Sequence, residues 1–147
     1  MNKFNIEILL TEYPDLPYRI REFSDKLTLS LQLKENVQDT LKAYKFSHEG
    51  KSKTVVNPVL EAVVKSSDIH GIAIEYYQRT IEEYTKRLLA MEEVLKSLEP
   101  QELEIIKLRY FQRREWKYIS HKIHYVVEYC MEMRSKILEK LMQDYKG

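Results

Sequence analysis

With 147 residues, of which 44% are hydrophobic, the chain is long enough to bury the core of one ordinary domain or of a compact unit carried on a helical arm. The 24 basic and 23 acidic side chains nearly cancel, and a net charge of +1 excludes a global field that would draw the chain onto nucleic acid or an anionic membrane. Cys130 is the single cysteine, which excludes an internal disulfide bond and leaves a structural zinc site without a second thiolate.

The same composition favours an all-α protein. Three glycines, four prolines and 32% charged residues are typical of long helices rather than of a sheet. No segment has the apolar core of a signal peptide, nor the run of about 20 apolar residues that spans a membrane. A lone cysteine suits a reducing compartment, so we expect a cytoplasmic protein that makes no membrane contact.

Residues 1–97 are predicted to form a helical arm. Residues 1–17 indicate a short helix or an extended segment, interrupted by Pro14 and Pro17. Residues 47–57 hold small polar side chains and no helical period, so we predict a loop there. Between these segments, a helix over about 18–46 is predicted by apolar residues at steps of mostly three or four: Ile20, Phe23, Leu27, Leu31, Leu33, Val37, Leu41 and Tyr44.

A second long helix is predicted over residues 58–97. Asn57 and Pro58 supply an N-cap and a first helical residue, and a kink or break is expected near Gly71. The apolar side chains that alternate steps of three and four, as in a coiled-coil seam, are Ile74, Tyr77, Ile81, Tyr84, Leu88, Met91 and Leu95. This seam must be buried, either against the first helix folded back by the loop or against a second copy of the chain in a dimer.

Residues 98–147 are predicted to form a separate trihelical unit. Shorter apolar patterns indicate helices over about 101–111, 116–123 and 127–145. A helix of eight residues followed, three residues later, by a longer helix is the helix-turn-helix layout. We expect Trp116 to anchor the core of this unit and Cys130 to lie buried in it.

Three stretches of this unit resemble sigma-factor region 4. Leu98 to Phe111, LEPQELEIIKLRYF, looks like its opening, residues 116–119 and 123–125 are similar to its next helix and turn, and residues 134–141, RSKILEKL, are similar to the end of its recognition helix. With the long helices before it, the whole chain resembles the RinA and ArpU type of phage late-gene transcriptional regulators. The resemblance implies a protein of the bacterial host cell that binds double-stranded promoter DNA of phage or prophage genes, alone or with RNA polymerase.

The candidate DNA-binding residues follow from this layout: Arg113, Arg114, Lys117, Lys122, His124, Glu128, Tyr129, Glu132, Arg134 and Lys136. Glu128 and Glu132 depart from the resemblance, because a carboxylate repels phosphate even though it can accept a hydrogen bond from cytosine N4. A solvated helix face is the alternative interpretation of the basic residues. For His121 and His124, packing against the turn is the commoner role.

No glycine-rich phosphate loop, metal-ligand spacing or Ser-His-Asp arrangement is present in the sequence, so we expect no enzyme activity, cofactor or metal. The first hypothesis is a DNA-binding regulator of phage or prophage genes. The alternative is a helix-turn-helix that binds a protein, either RNA polymerase or another regulator. A weaker third hypothesis is a DNA-packaging subunit like the phage small terminase.

Overall fold

The computed structural model describes residues 1–47 and 58–147, and within them all regular structure is helical. The predicted loop at 47–57 therefore lies outside the described residues except for Ser47, which is helical. The elements are α1 (Lys3–Glu12), a 3-10 turn (Tyr13–Asp15), α2 (Leu16–Ser47), α3 (Pro58–Leu95), α4 (Pro100–Ile106) with a π turn (Lys107–Phe111), α5 (Trp116–Ile123) and α6 (Val127–Asp144). The all-α class is confirmed. None of the described helices is long and apolar enough to cross a membrane.

The two long helices lie close to their predicted bounds. Pro14 and Pro17 fall in the 3-10 turn and in the first turn of α2, where the missing N–H has no helical acceptor to lose. Of the kink or break expected near Gly71, the break is wrong, because α3 is continuous from Pro58 to Leu95. One glycine costs a helix about 1 kcal/mol relative to alanine, which a long packed helix tolerates.

The contacts divide the chain into two compact units, residues 1–19 with 83–147, and residues 20–82. This division differs from the predicted one at residues 97/98. Both α1 and the C-terminal part of α3 belong to the unit that contains α4, α5 and α6.

In the unit of residues 20–82, α2 and α3 form an antiparallel hairpin. The rings of Phe23 and Tyr77 lie 5.9 Å apart, and farther along the pair a Cβ at Gly71 would lie 3.8 Å from Lys34 Nζ. Ile74, on the predicted seam, is buried. The N-terminal part of the seam therefore packs within one chain, against the folded-back helix.

The apolar pattern of α2 differs from the predicted one near its middle. Leu31 and Leu33 are exposed, and Ser30 is buried instead. A helix repeats every 3.6 residues, so positions 30 and 34 continue the line of Phe23 and Leu27, whereas position 31 points away from it.

The other unit has one continuous hydrophobic core, to which α1 contributes Ile6 and Leu10, both with no exposed surface. Met91 and Leu95 of the predicted seam are also buried in this core, so this part of the seam packs within the chain as well. The remaining core side chains are Val94, Leu98, Ile105, Ile106, Leu108, Tyr110, Ile119, Ile123, Cys130, Ile137, Leu138 and Leu141.

An ion-pair cluster joins α1 to its neighbours. Glu12 Oε1 accepts hydrogen bonds from Arg19 Nη1 at 3.2 Å and from Arg87 Nη1 at 3.0 Å. The Glu12 side chain is only 13% exposed, so the pairing is less screened than at an open surface. At the start of α1, Asn2 caps the helix by accepting from the Asn5 N–H at 2.9 Å.

We predict that Ile6→Ala lowers the free energy of unfolding by about 2–5 kcal/mol, because it opens a cavity in a closed core. Ile8→Ala, on the same helix but with 49% of its surface exposed, is the matched control and should change it by less than about 1 kcal/mol. Urea unfolding followed by circular dichroism measures both. If Ile6→Ala lowers the free energy of unfolding as little as Ile8→Ala is expected to, α1 is not part of the core.

Candidate nucleic-acid interface

The helix formed by α4 and the π turn ends in a wide turn. The Gln112 N–H donates to Lys107 O at 2.8 Å, and the Arg114 N–H donates to Leu108 O at 2.9 Å. Arg113 has a φ of 55°, in the left-handed region that usually favours glycine. The left-handed position in this turn is thus occupied by arginine rather than glycine.

The predicted helix-turn-helix is present. Helix α5 has eight residues, three residues follow it, and α6 has 18. His124 ends α5 with a φ of 62°, and the Tyr125 N–H donates to Ser120 O at 3.3 Å. The Ser120 hydroxyl also donates to Tyr125 O, so the turn is held from both backbone and side chain.

Trp116 orients α5 on the core. Its ring is half-buried against the core cluster, as predicted, and two guanidinium groups lie over it. The Cζ atoms of Arg109 and Arg134 are 4.7 and 5.5 Å from the ring centroid, within the range of a cation–π contact. Trp116 therefore connects α5 to the π turn and to α6.

Arg134, a predicted DNA-binding residue, is turned inward. Its side chain is 24% exposed, and Nη1 lies 3.9 Å from Glu7 Oε1 of α1. Burial first and the Glu7 carboxylate second raise the pKa of the neighbouring Tyr110 to about 12, and Arg134 opposes the shift. Arg134 thus takes part in attaching α1 to the helix-turn-helix, and the structure does not bring it to the outer surface with the other candidates.

Basic side chains gather on the outer side of α5. Lys117 and Lys122 are exposed, and so is Arg114, whose Cζ lies 4.6 Å from the Tyr118 ring centroid. Together with His121 these residues form what is called here the α5 surface. Arg113 is exposed beside it, with Nη2 3.9 Å from Asp15 Oδ2.

The packing role expected for His121 and His124 is wrong, because both side chains are exposed. His121 is two residues from both Ile119 and Ile123, which are buried. At about 100° per residue, it therefore lies on the opposite, outer side of α5. His124 occupies the left-handed position that ends the helix, so its side chain lies outside the packed turn.

The outer side of α6 carries a different chemistry. Glu128, Glu132 and Lys136 are exposed along one line, and Tyr129 stacks beside them on Tyr125 with ring centroids 4.7 Å apart. These five residues are called here the α6 surface. Tyr125 and Tyr118 were not among the predicted site residues. The signal that would have found them is that both are large aromatics outside the apolar lines: Tyr118 lies off the apolar line of α5, and Tyr125 lies in the turn between the two helices.

Cys130 is fully buried as predicted, and burial raises the pKa of its thiol. Its Sγ lies 3.8 Å from Tyr125 O. Among the described residues, no group of three or more His, Cys, Asp or Glu side chains is arranged to hold a metal ion.

Compared with known protein families, curated proteins and solved structures, the chain shows no match. The resemblance to phage late-gene regulators of the RinA and ArpU type therefore stays a prediction, carried by the motifs quoted for it.

We predict that His124→Gly raises the free energy of unfolding by about 0.5–1 kcal/mol, because it relieves an L-residue held in the left-handed region. His121→Gly is the matched control: it lies three residues earlier in right-handed helix, where glycine should cost about 0.5 kcal/mol. Thermal and urea unfolding of both variants measure whether each substitution raises or lowers the free energy of unfolding. If His124→Gly is as destabilising as His121→Gly, the left-handed turn is not strained.

Proposed function

We propose that the chain is a DNA-binding transcriptional regulator of phage or prophage genes that places α6 in the major groove. The observation that carries the proposal is a helix of eight residues, a three-residue turn and a longer helix, with exposed cations on the first of the two helices. In this motif the first helix crosses the DNA backbone and the second contacts base edges.

The α5 surface has the positive charge that a helix crossing the DNA backbone requires. Lys117 and Lys122 are exposed on the helix that would cross the backbone, and Arg114 is exposed in the turn before it; contacts of lysine and arginine with phosphate supply most non-specific affinity. The net charge of the chain is only +1, so attraction to DNA has to come from such a local group of cations.

The α6 surface is suited to selecting a base sequence rather than to attracting the DNA backbone. Glu128 and Glu132 repel phosphate, but a carboxylate in the major groove accepts a hydrogen bond from cytosine N4. Tyr129 is exposed between them on the same helix and presents both a ring and a hydroxyl. An acidic reading helix lowers binding to random DNA, so the affinity it retains depends on a correct sequence.

We predict that Lys117→Ala/Lys122→Ala weakens binding to all DNA sequences alike. It should also reduce the slope of log K against log salt concentration by about 0.9 for each phosphate contact removed. The measurement is fluorescence anisotropy on fragments from the genomic neighbourhood of the gene, at several salt concentrations. Lys65→Ala/Lys86→Ala removes the same charge from exposed positions elsewhere and should leave the slope unchanged.

Two results would count against the proposal. The first is wild-type protein that binds no fragment more tightly than random DNA. The second is an equal loss of affinity in the two lysine pairs, since that would assign binding to net charge rather than to the α5 surface.

A second candidate function is binding of a protein rather than DNA through the α6 surface. Three observations favour it: the two exposed glutamates, the exposed Tyr125–Tyr129 pair, and Val126, which is 66% exposed at the start of α6. Exposed tyrosine is enriched at protein interfaces, and the carboxylates complement a basic patch. RNA polymerase, or another regulator, is the partner this candidate requires.

Glu128→Lys/Glu132→Lys separates the two functions. If the carboxylates read bases, we expect the variant to lose preference for its target fragment while binding random DNA more tightly. If they face a protein, we expect the wild type to bind purified RNA polymerase and the variant to bind it at least about tenfold more weakly. Glu61→Lys/Glu82→Lys reverses two exposed glutamates elsewhere and serves as control. Unchanged polymerase binding by the α6 variant would rule out the second candidate.

A further inference from the structure

The hairpin of residues 20–82 leaves large apolar side chains in solvent. Leu29 and Leu33 of α2 are 57% and 39% exposed, and Ile69, Ile72 and Tyr76 of α3 are 63%, 70% and 59% exposed. These five side chains are called here the apolar face. They are not the predicted coiled-coil seam, since the seam residues Ile74 and Tyr77 turn toward α2.

Leu29, Leu33, Ile69 and Tyr76 share one side of the hairpin, and Ile72 lies next to them on the side of α3 that faces away from α2. Leu29 and Leu33 each precede by one residue a position turned toward α3, namely Ser30 and Lys34. One residue corresponds to a rotation of about 100° around the helix.

On α3, Ile69 precedes His70 and Tyr76 precedes Tyr77, so the same rotation applies there. In an antiparallel pair, equal rotations on the two helices point to the same side. The Phe23 ring, 6.3 Å from that of Tyr76 in an edge-on contact, joins the two helices at one end of this side.

The same side continues as an open groove toward the other end of the hairpin. The groove has a volume of about 610 Å³, and its apolar lining comes from Leu33 and Val37 of α2 and from Pro58, Ala62 and Val63 of α3. The opposite side of the hairpin differs, because there Leu31 and Val64 are isolated among polar residues such as Glu35, Ser67 and Asp68.

The amount of apolar surface is that of an interface. Since a large side chain has on the order of 200 Å² of surface, the exposed fractions of the five residues amount to roughly 500 Å². A standard interface buries about 800 Å² on each partner, somewhat more than half of it apolar. The apolar face alone therefore supplies about the apolar area that one partner contributes to a stable complex.

Among the described residues, the hairpin has no second layer of the kind that helical units require. Within residues 20–43, 58 and 60–82, only Ser30 and Ile74 are buried. A single pair of helices is one layer, whereas stable helical domains pack two layers around a core. A second hairpin of the same kind would complete a four-helix bundle.

We propose that the apolar face binds the same face of a second copy of this chain. The contact is isologous, so leucine, isoleucine and tyrosine side chains meet others of the same set, with a polar side of each hairpin left in water. The inference does not rest on DNA binding. If the helix-turn-helix is a DNA reader, the dimer carries two of them, which is the usual arrangement for two half-sites.

The test is the mass of the full chain in solution, by sedimentation equilibrium from the micromolar range upward. We expect the wild type at twice its chain mass of 17.7 kDa, and Leu29→Lys/Ile69→Lys as a monomer. Leu31→Lys/Val64→Lys introduces the same charges at exposed apolar positions on the opposite side, and it should stay dimeric. Circular dichroism checks that all three proteins keep their helix content, and Leu29→Lys alone replaces the double variant if it does not.

A monomeric wild type throughout this range would overturn the proposal and would leave the face for a different protein. A dimer that survives Leu29→Lys/Ile69→Lys would overturn it as well, since the interface would then lie elsewhere. A dimer that both double variants abolish would also overturn it, because the loss would follow from added charge rather than from the apolar face. These masses are measured without DNA, so failure here is distinct from failure of the proposed DNA binding.

Discussion

Ile6 and Leu10, both without exposed surface, close the core against which α5 and α6 are held. A three-helix unit of about fifty residues buries a small fraction of its surface and is marginal by itself. The N-terminal helix and the end of α3 enlarge that core, and the ion pairs of Glu12 with Arg19 and Arg87 fix α1 beside α3. The position of the helix-turn-helix therefore depends on residues more than a hundred positions before it in the chain.

This dependence explains why part of the candidate site could be predicted and part could not. The bounds of α5 and α6 follow from local apolar periodicity and turn length, and they were predicted within one residue. Arg134 was assigned to DNA because a cation on a helix surface is ordinarily solvated. Its inward placement depends on Glu7 and Trp116, and no local pattern reveals that Glu7 lies 3.9 Å away. Long-range contacts of this kind decide which side of a helix is the outer one.

In the hairpin, too, local patterns predicted the helices but not every side chain that faces solvent. Periodicity correctly predicted two long helices, and the seam at Ile74 and Tyr77 correctly indicated the side of α3 that packs. The departures at Leu31 and Leu33 arise because a three-or-four spacing rule admits either of two neighbouring positions, whereas the 3.6-residue repeat selects one. Leucines that the rule places inside are thereby left in solvent, and Leu33 then contributes to the apolar face.

In the proposed DNA complex, attraction to the backbone and selection of a sequence belong to different helices. Lys117 and Lys122 lie on α5 and Arg114 lies in the turn just before it, whereas Glu128 and Glu132 lie on α6. For a module whose reading helix is basic, non-specific and specific binding rise together, because both use the same cations. Here the cations lie on or beside the helix that would cross the backbone. The carboxylates would weaken binding to any groove in which no base donates a hydrogen bond to them. Such a division weakens binding to random DNA more than to a matched sequence, and it is compatible with a chain whose net charge is only +1.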